Sequence, residues 1–572
     1  MTPAARGLTA STKRWELPSP ASPHSLPRDL PSAAVSVLLR RGIDTAEKLR
    51  YFLQPPHRLP YDPLRLSGMD RALHRLYRAM TRGEKVGIFG DFDVDGLTGT
   101  AIVAQGLGLL GVEVAPYLPH RVDEGHGLSD EAVQHLAGQG VSLIVTVDCG
   151  VTSVGEVEQA RRLGVDVIIA DHHTPQATLP QAVAIINPRV APDQYPFPDL
   201  CGAGLAFKLM QGLYQFHGQP WPQELLGLAA LGTVADLVPL VDENRFLVQQ
   251  GLAQLSRTTR PGLQALYRRA GINPQAMTTE TLAFQIVPRL NSPGRMSHAL
   301  DSYQLLTTSS EAEAEALAER LEGLNQDRRG LTEAAFAIAC DQVQRQATLP
   351  PILLVDDPAI TPGVAGLVAG RLAEMFHRPA VALASLADGQ VVASGRSIPQ
   401  FNIVRAFAAC QDLFVRYGGH SQAAGFTLAR SRLPQLAARL TAYADEVLAS
   451  VDLHPVLAID AEVKLAELNG GLVPWLASLE PFGAANPQPV FLTRGAHVIE
   501  SRYMGQSGQH LRLRLRESFS GRKEWTALAF NQAQNWQAAN PGQSGRVDLV
   551  YTITQDTWRG NDAVALKVVD LR

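Results

Sequence analysis

Val86-Gly87-Ile88-Phe89-Gly90-Asp91-Phe92-Asp93-Val94-Asp95-Gly96 is an apolar run that closes on three aspartates at alternate positions. A short apolar run of this kind predicts a buried strand. Alternate residues of extended backbone point to one side, and the carboxyl end of a strand in an open α/β sheet is where such folds place their active sites. Left alone, three clustered carboxylates repel and their pKa values climb, so a divalent cation is their natural partner. The competing reading of this stretch alone is a solvated acidic turn.

Working outward, further apolar runs at 112–118, 143–147, 167–170 and 183–186 alternate with helical patterns. That rhythm predicts a parallel α/β sheet with crossover helices. Two of these runs end in chemistry: Val145-Thr146-Val147-Asp148-Cys149-Gly150 and Ile168-Ile169-Ala170-Asp171-His172-His173. Gly232-Thr233-Val234-Ala235-Asp236 adds one more carboxylate after an apolar stretch. Each alone could be a capping aspartate or a satisfied core histidine. Four in one domain can converge, and carboxylates with an imidazole suit Mn²⁺ or Mg²⁺ better than a soft, thiolate-bound metal.

The 572 residues exceed what one core usually supports and predict three or four domains. Residues 1–32 hold six prolines and read as a tail, mobile or draped over another domain. The first α/β domain is expected over 33–306. Ser310 and Glu313 resemble a capping box that opens a long helix over 307–346, although Gly323 and Gly330 weaken it. A second α/β domain follows over 347–450, with apolar runs at 352–355 and 381–384 and the closing stretch Tyr417-Gly418-Gly419-His420. Residues 451–572 look mostly β. There His510-Leu511-Arg512-Leu513-Arg514-Leu515-Arg516 alternates strictly, with three arginines on one face and three leucines on the other, and a small barrel fits it.

Composition narrows the classes. Hydrophobic residues at 45% and charged ones at 19% suit a folded, soluble protein. Cys149, Cys201, Cys340 and Cys410 lie too far apart for a zinc-ligand spacing, and without an export signal a reducing cytoplasm is expected. No stretch reaches the ~20 apolar residues of a membrane span. With a net charge of −4, any polyanion must be held by a local groove.

The ordered set of motifs resembles the DHH phosphoesterase superfamily, and within it the branch of single-strand-specific 5′→3′ exonucleases, from about residue 34 to the C-terminus. The resemblance also rests on Leu200-Cys201-Gly202-Ala203-Gly204, the Pro288-to-Met296 stretch that holds Arg289 and Arg295, and Ser394-Gly395-Arg396-Ser397. Gly418-Gly419-His420-Ser421-Gln422-Ala423-Ala424-Gly425-Phe426, Glu480-Pro481-Phe482-Gly483 and Asn486-Pro487 complete it. It implies an α/β fold: two α/β domains of DHH and DHH-associated type flanking a cleft, joined by the long helix, with a C-terminal OB-fold barrel. It implies two Mn²⁺ or Mg²⁺ ions held by Asp91, Asp93, Asp148, His172 and Asp236, with Asp148 bridging. Asp93, Asp148, His172 and His173 form the implied catalytic set; Asp95, Asp171 and His173 orient the ligands.

Substrate contacts are implied for Arg289, Arg295, Ser394, Arg396, Gly418, Gly419 and His420, the last groups taking a terminal 5′-phosphate. In the barrel, Arg512, Arg514 and Arg516 are candidates for phosphate contact, and Tyr503 or Trp525 for base stacking. The implied activity is 5′→3′ hydrolysis of single-stranded DNA to mononucleotides in DNA repair and recombination. A monomer is expected, with single-strand-binding protein and a helicase as companions.

The chain departs from its relatives in three places. Ile360-Thr361 stands where many have Trp-His, Phe89 where some have histidine, and Gly125-His126-Gly127 where Gly-Tyr-Gly is common. None removes an implied ligand. Two rival readings are a superfamily phosphodiesterase acting on short oligonucleotides, and an inactive single-strand-binding scaffold. The β-rich C-terminus argues against the first, and the complete carboxylates argue against the second.

Overall fold

A computed structural model describes residues 13–18, 26–53, 61–121, 123–190, 195–468, 471–505, 507–518, 523–533, 536–537, 545–555 and 564–572. Most of the expected tail, residues 1–12 and 19–25, lies outside the described residues. The chain divides into two units: residues 61–238 with 247–455, and residues 13–60 with 239–246 and 456–572.

In the first unit, five parallel strands form one sheet: β1 (Lys85–Gly90), β2 (Val114–Tyr117), β3 (Val141–Val147), β4 (Asp166–Ala170) and β5 (Ala184–Ile186). A parallel sheet is covered on both faces, so its strands read as unbroken apolar runs. The strand order is β2-β1-β3-β4-β5, so the direction of winding reverses between β1 and β3. Ligands of open α/β sheets sit at such a reversal, outside the carboxyl ends of the strands.

Extended backbone does not carry all three aspartates after β1, as the alternation suggested. Helix α1 (Val94–Leu109) starts at once, with Asp93 as its N-cap accepting from the amides of Asp95 and Gly96 at 3.0 and 3.3 Å. An aspartate is strongly favoured there because it satisfies amides that the first turn leaves unpaired. Asp91 therefore belongs to the loop, Asp93 to the cap and Asp95 to the first turn.

Helices α2 (Gly202–Phe216) and α3 (Leu225–Ala235) pack on α1 and are apolar nearly all round, as helices buried on every side must be. A π-helical turn over Leu282–Ile286 leads into α4 (Val287–Met296). Pro288 explains the turn: with no N–H, it cannot serve the carbonyl of Phe284 four residues earlier.

Helix α5 (Glu311–Gln344) runs unbroken for 34 residues, about 50 Å. Ser310 caps it by accepting from the Glu313 amide at 3.3 Å, but the return bond of the capping box is not made. The Ser310 amide goes to the Thr308 hydroxyl at 3.1 Å instead. Gly323 and Gly330 face open space and do not interrupt it.

The second α/β block contains β6 (Leu353–Asp356), α6 (Pro362–Phe376), β7 (Ala380–Ser385), β8 (Gln390–Arg396), β9 (Arg416–Gly419) and β10 (Ala423–Ala429). Its sheet order is β9-β10-β8-β7-β6, with β9 on an edge. Ile360 is buried in this block's core and Thr361 is the N-cap residue of α6. Long α5 packs against both blocks, its Glu322 pairing with Arg289 of α4 and its Glu333 with Arg371 of α6.

In the second unit, β11 (Phe491–Met504), β12 (His510–Arg516), β13 (Trp525–Ala529), β14 (Arg546–Gln555) and β15 (Val564–Leu571) close into a five-stranded barrel, with β14 also pairing β11. Leu511, Leu513 and Leu515 point into its core, as the alternation predicts. The helices Ser32–Arg40 and Ala46–Leu53 share that core through Val37, Leu38 and Leu49. They belong with the barrel, whereas the sequence suggested a catalytic domain starting at residue 33. Their apolar faces cannot stand alone, and the barrel supplies the cover. Arg245 is buried in this unit, stacked over the Phe52 ring at 3.9 Å and donating to the carbonyls of Phe52, Leu479 and Glu480 at 3.1, 3.0 and 2.7 Å.

Candidate metal and phosphate site

The reversal between β1 and β3 brings the predicted ligands together. Three triads offer donor atoms within 4.8 Å of one another: Asp91, Asp93 and Asp148; Asp148, His172 and His173; and Asp95, His172 and Asp236. Asp148 belongs to two of them. It follows β3 directly, is buried, and holds φ at +63°. Such backbone costs a non-glycine residue energy and collects at functional sites. Gly202, at the start of α2, makes the position possible, since a Cβ there would fall 2.5 Å from that of Asp148.

The remaining groups divide into donors that are occupied and donors that are not. Both oxygens of Asp95 accept from α2, Oδ2 from the Gly202 amide at 2.7 Å and Oδ1 from the Ala203 amide at 2.8 Å. Asp171 accepts from the Val151 amide at 2.9 Å and from His173 Nδ1 at 2.7 Å. Asp95 and Asp171 therefore brace the site. By contrast, Asp91 Oδ1, Asp148 Oδ1 and both ring nitrogens of His172 are buried without a hydrogen-bond partner among the described residues. His172 Nε2 stands 3.1 Å from Asp148 Oδ1 and 3.7 Å from Asp236 Oδ2, without the alignment of a hydrogen bond to Asp148. Orphaned oxygen and imidazole donors that converge are what a divalent cation such as Mn²⁺ or Mg²⁺ satisfies, so the residues fit such ions.

The charges are equally unsettled. Burial first, and then Asp95, Asp93, Asp91 and Asp236, push the Asp148 carboxyl well above the ordinary range. Asp93 is raised by burial and by Asp91, and Asp236 is pushed up to about 8 by burial, Asp95 and Asp93. Burial lowers His172 to about 4, which leaves its ring neutral and able to offer a lone pair. His173 is also pulled down by burial, but the hydrogen bond and charge of Asp171 lift it to about 9. Burial raises Asp171, and its bonds and charge pairing with His173 bring it below the usual value. The His173 ring stacks on His420 of the second block, with centroids 5.6 Å apart and planes 10° apart. The Cys149 thiol beside Asp148 is pushed up by burial and donates to the Val147 carbonyl at 3.5 Å.

Of the predicted substrate residues, Arg295 and Arg396 come together. Burial, then Arg121, Arg328 and Arg396, hold Arg295 down to about 9, and burial with Arg121 lowers Arg396. Arg396 donates to the Ser394 hydroxyl at 3.1 Å, and the two reach over Gly366 of α6. Arg289 does not join them. Its guanidinium is spent on Glu322 at 2.5 Å and on the Gln285 carbonyl at 2.7 Å, so it cannot fork onto phosphate. A Cβ on Gly419 would fall 2.5 Å from the Ala423 carbonyl oxygen, and its φ is +133°, whereas a Cβ on Gly418 would meet nothing.

In the barrel, Arg514 pairs with Glu500 and Glu524 and Arg516 with Glu524, which neutralises most of the expected basic face. Arg512 differs, since its cross-strand neighbour is Arg502. Trp525 is buried in the barrel core and cannot stack on a base; Tyr503 packs partly buried against it.

Three residues at the site escape the sequence reading. Arg121 lies over the Phe92 ring at 4.2 Å and donates to the Gly294 carbonyl at 3.2 Å, close enough to Asp91 and Asp93 to feel their charge. His126 Nδ1 stands 3.0 Å from Asp91 Oδ2. Asn291 Oδ1 accepts from the Val94 amide at 3.1 Å, tying α4 to the start of α1. His126 carried a signal, its glycine flanks; Arg121 carried none.

Three family models match the chain: the DHH family, N-terminal domain, over residues 85–233, the DHHA1 domain over 349–446 and the RecJ OB domain over 459–570. The chain is 36% identical over 568 residues to the single-stranded-DNA-specific exonuclease RecJ of Bacillus subtilis (strain 168), an alignment covering 98% of this chain and 71% of that relative. To the enzyme of the same description from Escherichia coli (strain K12) it is 34% identical, covering 95% and 96%. Its fold is similar to that of RecJ from Thermus thermophilus in complex with Mn²⁺, with a TM-score of 0.81, 32% identity, and coverage of 98% of this chain and 79% of the other. No helix among the described residues is long and apolar enough to cross a membrane.

Proposed function

Because the chain belongs to the RecJ family of single-stranded-DNA-specific exonucleases, we propose that its aspartate and histidine cluster hydrolyses the phosphodiester bonds of single-stranded DNA from the 5′ end, releasing mononucleotides. The observation that carries this reading is Asp148. It is strained, buried and shared between two donor triads at the point where the sheet reverses.

Asp91, Asp93, Asp148, His172 and Asp236 would hold the cations, Mn²⁺ or Mg²⁺ as in the Thermus thermophilus structures, which when bound supply Lewis-acid activation of water and charge stabilisation at the leaving oxygen. The protein's own groups do the rest. His172 keeps a neutral ring that can offer one lone pair, with Nε2 toward Asp148 and Asp236. Asp171 fixes the ring of His173 through Nδ1, and the stacked His420 brings the second block to the same edge. Arg121, Arg295 and Arg396 gather positive charge beside Asp93, where a phosphate next to the scissile bond can be held. One chain carries every candidate ligand, which supports a monomer as the working unit. Single-strand-binding protein and a helicase in the cytoplasm are the companions this reading implies.

The test is a nuclease assay on 5′- and 3′-labelled oligonucleotides with Mn²⁺, Mg²⁺ or EDTA. Mononucleotides from the 5′ end of single strands, lost in EDTA and slow on blunt duplex, are expected. Release from the 3′ end, or equal attack on blunt duplex, overturns the reading.

A further inference from the structure

We propose that Arg416 holds an internal phosphate of the bound strand, distinct from the terminal one; the inference rests on the single-strand reading above. Arg416 opens the edge strand β9 and its side chain is exposed. Its Nε donates to Thr427 Oγ1 on the paired strand at 3.3 Å. That bond fixes the direction of the guanidinium and leaves Nη1 and Nη2 with no partner among the described residues.

Those two nitrogens reach across to the first block. They lie over Gly125, where an added Cβ would fall 3.2 Å from Nη1 and 3.9 Å from Nη2. Gly125 has φ +80°, so both its backbone and the space above it favour glycine. The next residue, His126, touches Asp91, so the free edge of Arg416 lies one residue along the loop from a contact of the candidate ligands. The carboxylate that precedes Gly125 in the chain is already committed: Glu124 accepts from the Tyr117 hydroxyl and the His120 amide, both at 2.7 Å. Asp123 pairs with His120.

Three arginines of the second block are neutralised, Arg430 by Asp356, Arg439 by Asp412 and Arg371 by Glu333, and Arg416 is not among them. A guanidinium pinned at one nitrogen, aimed into the cleft and given no carboxylate is built for an anion that arrives from outside. Side chains alternate along a strand, so Gly418 lies on the same face as Arg416. A Cβ on Gly418 would meet nothing, so the fold does not require glycine there, and its absence keeps the lane along β9 clear for a strand backbone. His420 lies four residues on, about 13 Å in extended chain, and stacks on His173, whereas Arg416 turns to Gly125, so the two side chains serve different positions.

The test uses 5′-phosphorylated oligonucleotides in which a single uncharged methylphosphonate linkage is walked along the first several positions. Wild type should show a several-fold rise in KM at one internal position. Arg416→Gln should raise KM on the unmodified strand by a similar factor, with a smaller change in kcat, and should lose its sensitivity at that position alone; Arg416→Lys should recover part of it. Binding without metal, followed by anisotropy, should lose ~0.7 from its salt slope in Arg416→Gln. An unchanged positional profile together with an unchanged salt slope overturns the proposal. Failure of the wild type to cleave these strands refutes the proposed function instead, and the binding measurement still decides Arg416.

Discussion

Replacing Asp148 with asparagine should yield a protein that is more stable without metal and nearly inert as an enzyme. The residue is 4% exposed and φ is +63°. Asparagine keeps the shape and enters left-handed backbone readily, whereas alanine there would cost about 1–2 kcal/mol in strain. Without metal, burial and four neighbouring aspartates hold the Asp148 carboxyl well above its usual range. Its folded pKa therefore exceeds the unfolded one. At acid pH both states are protonated and nothing is lost; as pH rises past the unfolded value of about 3.9, the native state is penalised progressively. Asparagine cannot ionise, so it relieves a penalty that grows with pH and is larger at pH 8 than at pH 5. In thermal melts with EDTA, Asp148→Asn should melt several degrees above wild type at pH 8 and by a smaller margin at pH 5. Turnover with Mn²⁺ should fall ~10³-fold or more, about 4 kcal/mol of barrier. A variant that melts below wild type at pH 8 in EDTA, or that turns over normally, refutes the reasoning.

Cations must displace protons from Asp148 and from Asp236, whose pKa is about 8, so the rise in Tm given by a fixed Mn²⁺ concentration should grow from pH 6 to pH 8.5; a flat response counts against the cluster as the binding site. Arg396→Ala or His420→Ala should reduce the preference for a 5′-phosphate over a 5′-hydroxyl by about tenfold, measured as the ratio of kcat/KM values, the expected loss of one charge-assisted contact. In the barrel, Arg502→Ala and Arg512→Ala should each make the salt slope of single-strand binding shallower by ~0.7, whereas Arg514→Ala, already paired with Glu500 and Glu524, should leave it unchanged. These substitutions test the barrel more cleanly than removing residues 451–572, which would uncover Val37, Leu38 and Leu49.

What could be read in the sequence was whatever its local neighbours determine. The strands of the first sheet are buried on both faces, so β1, β3 and β4 stand out as apolar runs, and their terminal aspartates and histidines converge because parallel strands end on one edge. Asp95 was misplaced on extended backbone because alternation was weighed above the capping preference of Asp93. Arg289 looked free because its partner Glu322 lies 33 residues away on another helix. Arg514 and Arg516 looked basic for the same reason, since Glu500 and Glu524 face them only once the strands pair. Arg121 had no local mark, and its place beside Asp91 and Asp93 follows from the route of one loop.

The two poles of the site also explain why neither is quenched. Asp91, Asp93, Asp148 and Asp236 crowd one side, and Arg121, Arg295 and Arg396 crowd the other. Direct ion pairs would relieve both, yet none of these arginines has a carboxylate partner within bonding distance among the described residues. Each is tied to a neutral acceptor instead: Arg121 to the Gly294 carbonyl, Arg295 to the Gly363 carbonyl at 3.3 Å, and Arg396 to the Gly395 carbonyl at 2.9 Å. A carbonyl fixes the direction of a guanidinium without cancelling its charge. Direction is also fixed on the acidic side, where α2 amides hold Asp95 and strained backbone holds Asp148. Both poles are thus kept uncompensated and aimed, at a cost to stability that bound ligands can return. Cations satisfy one pole and a phosphate the other, so a phosphodiester presented together with divalent ions is the ligand chemistry that settles both at once.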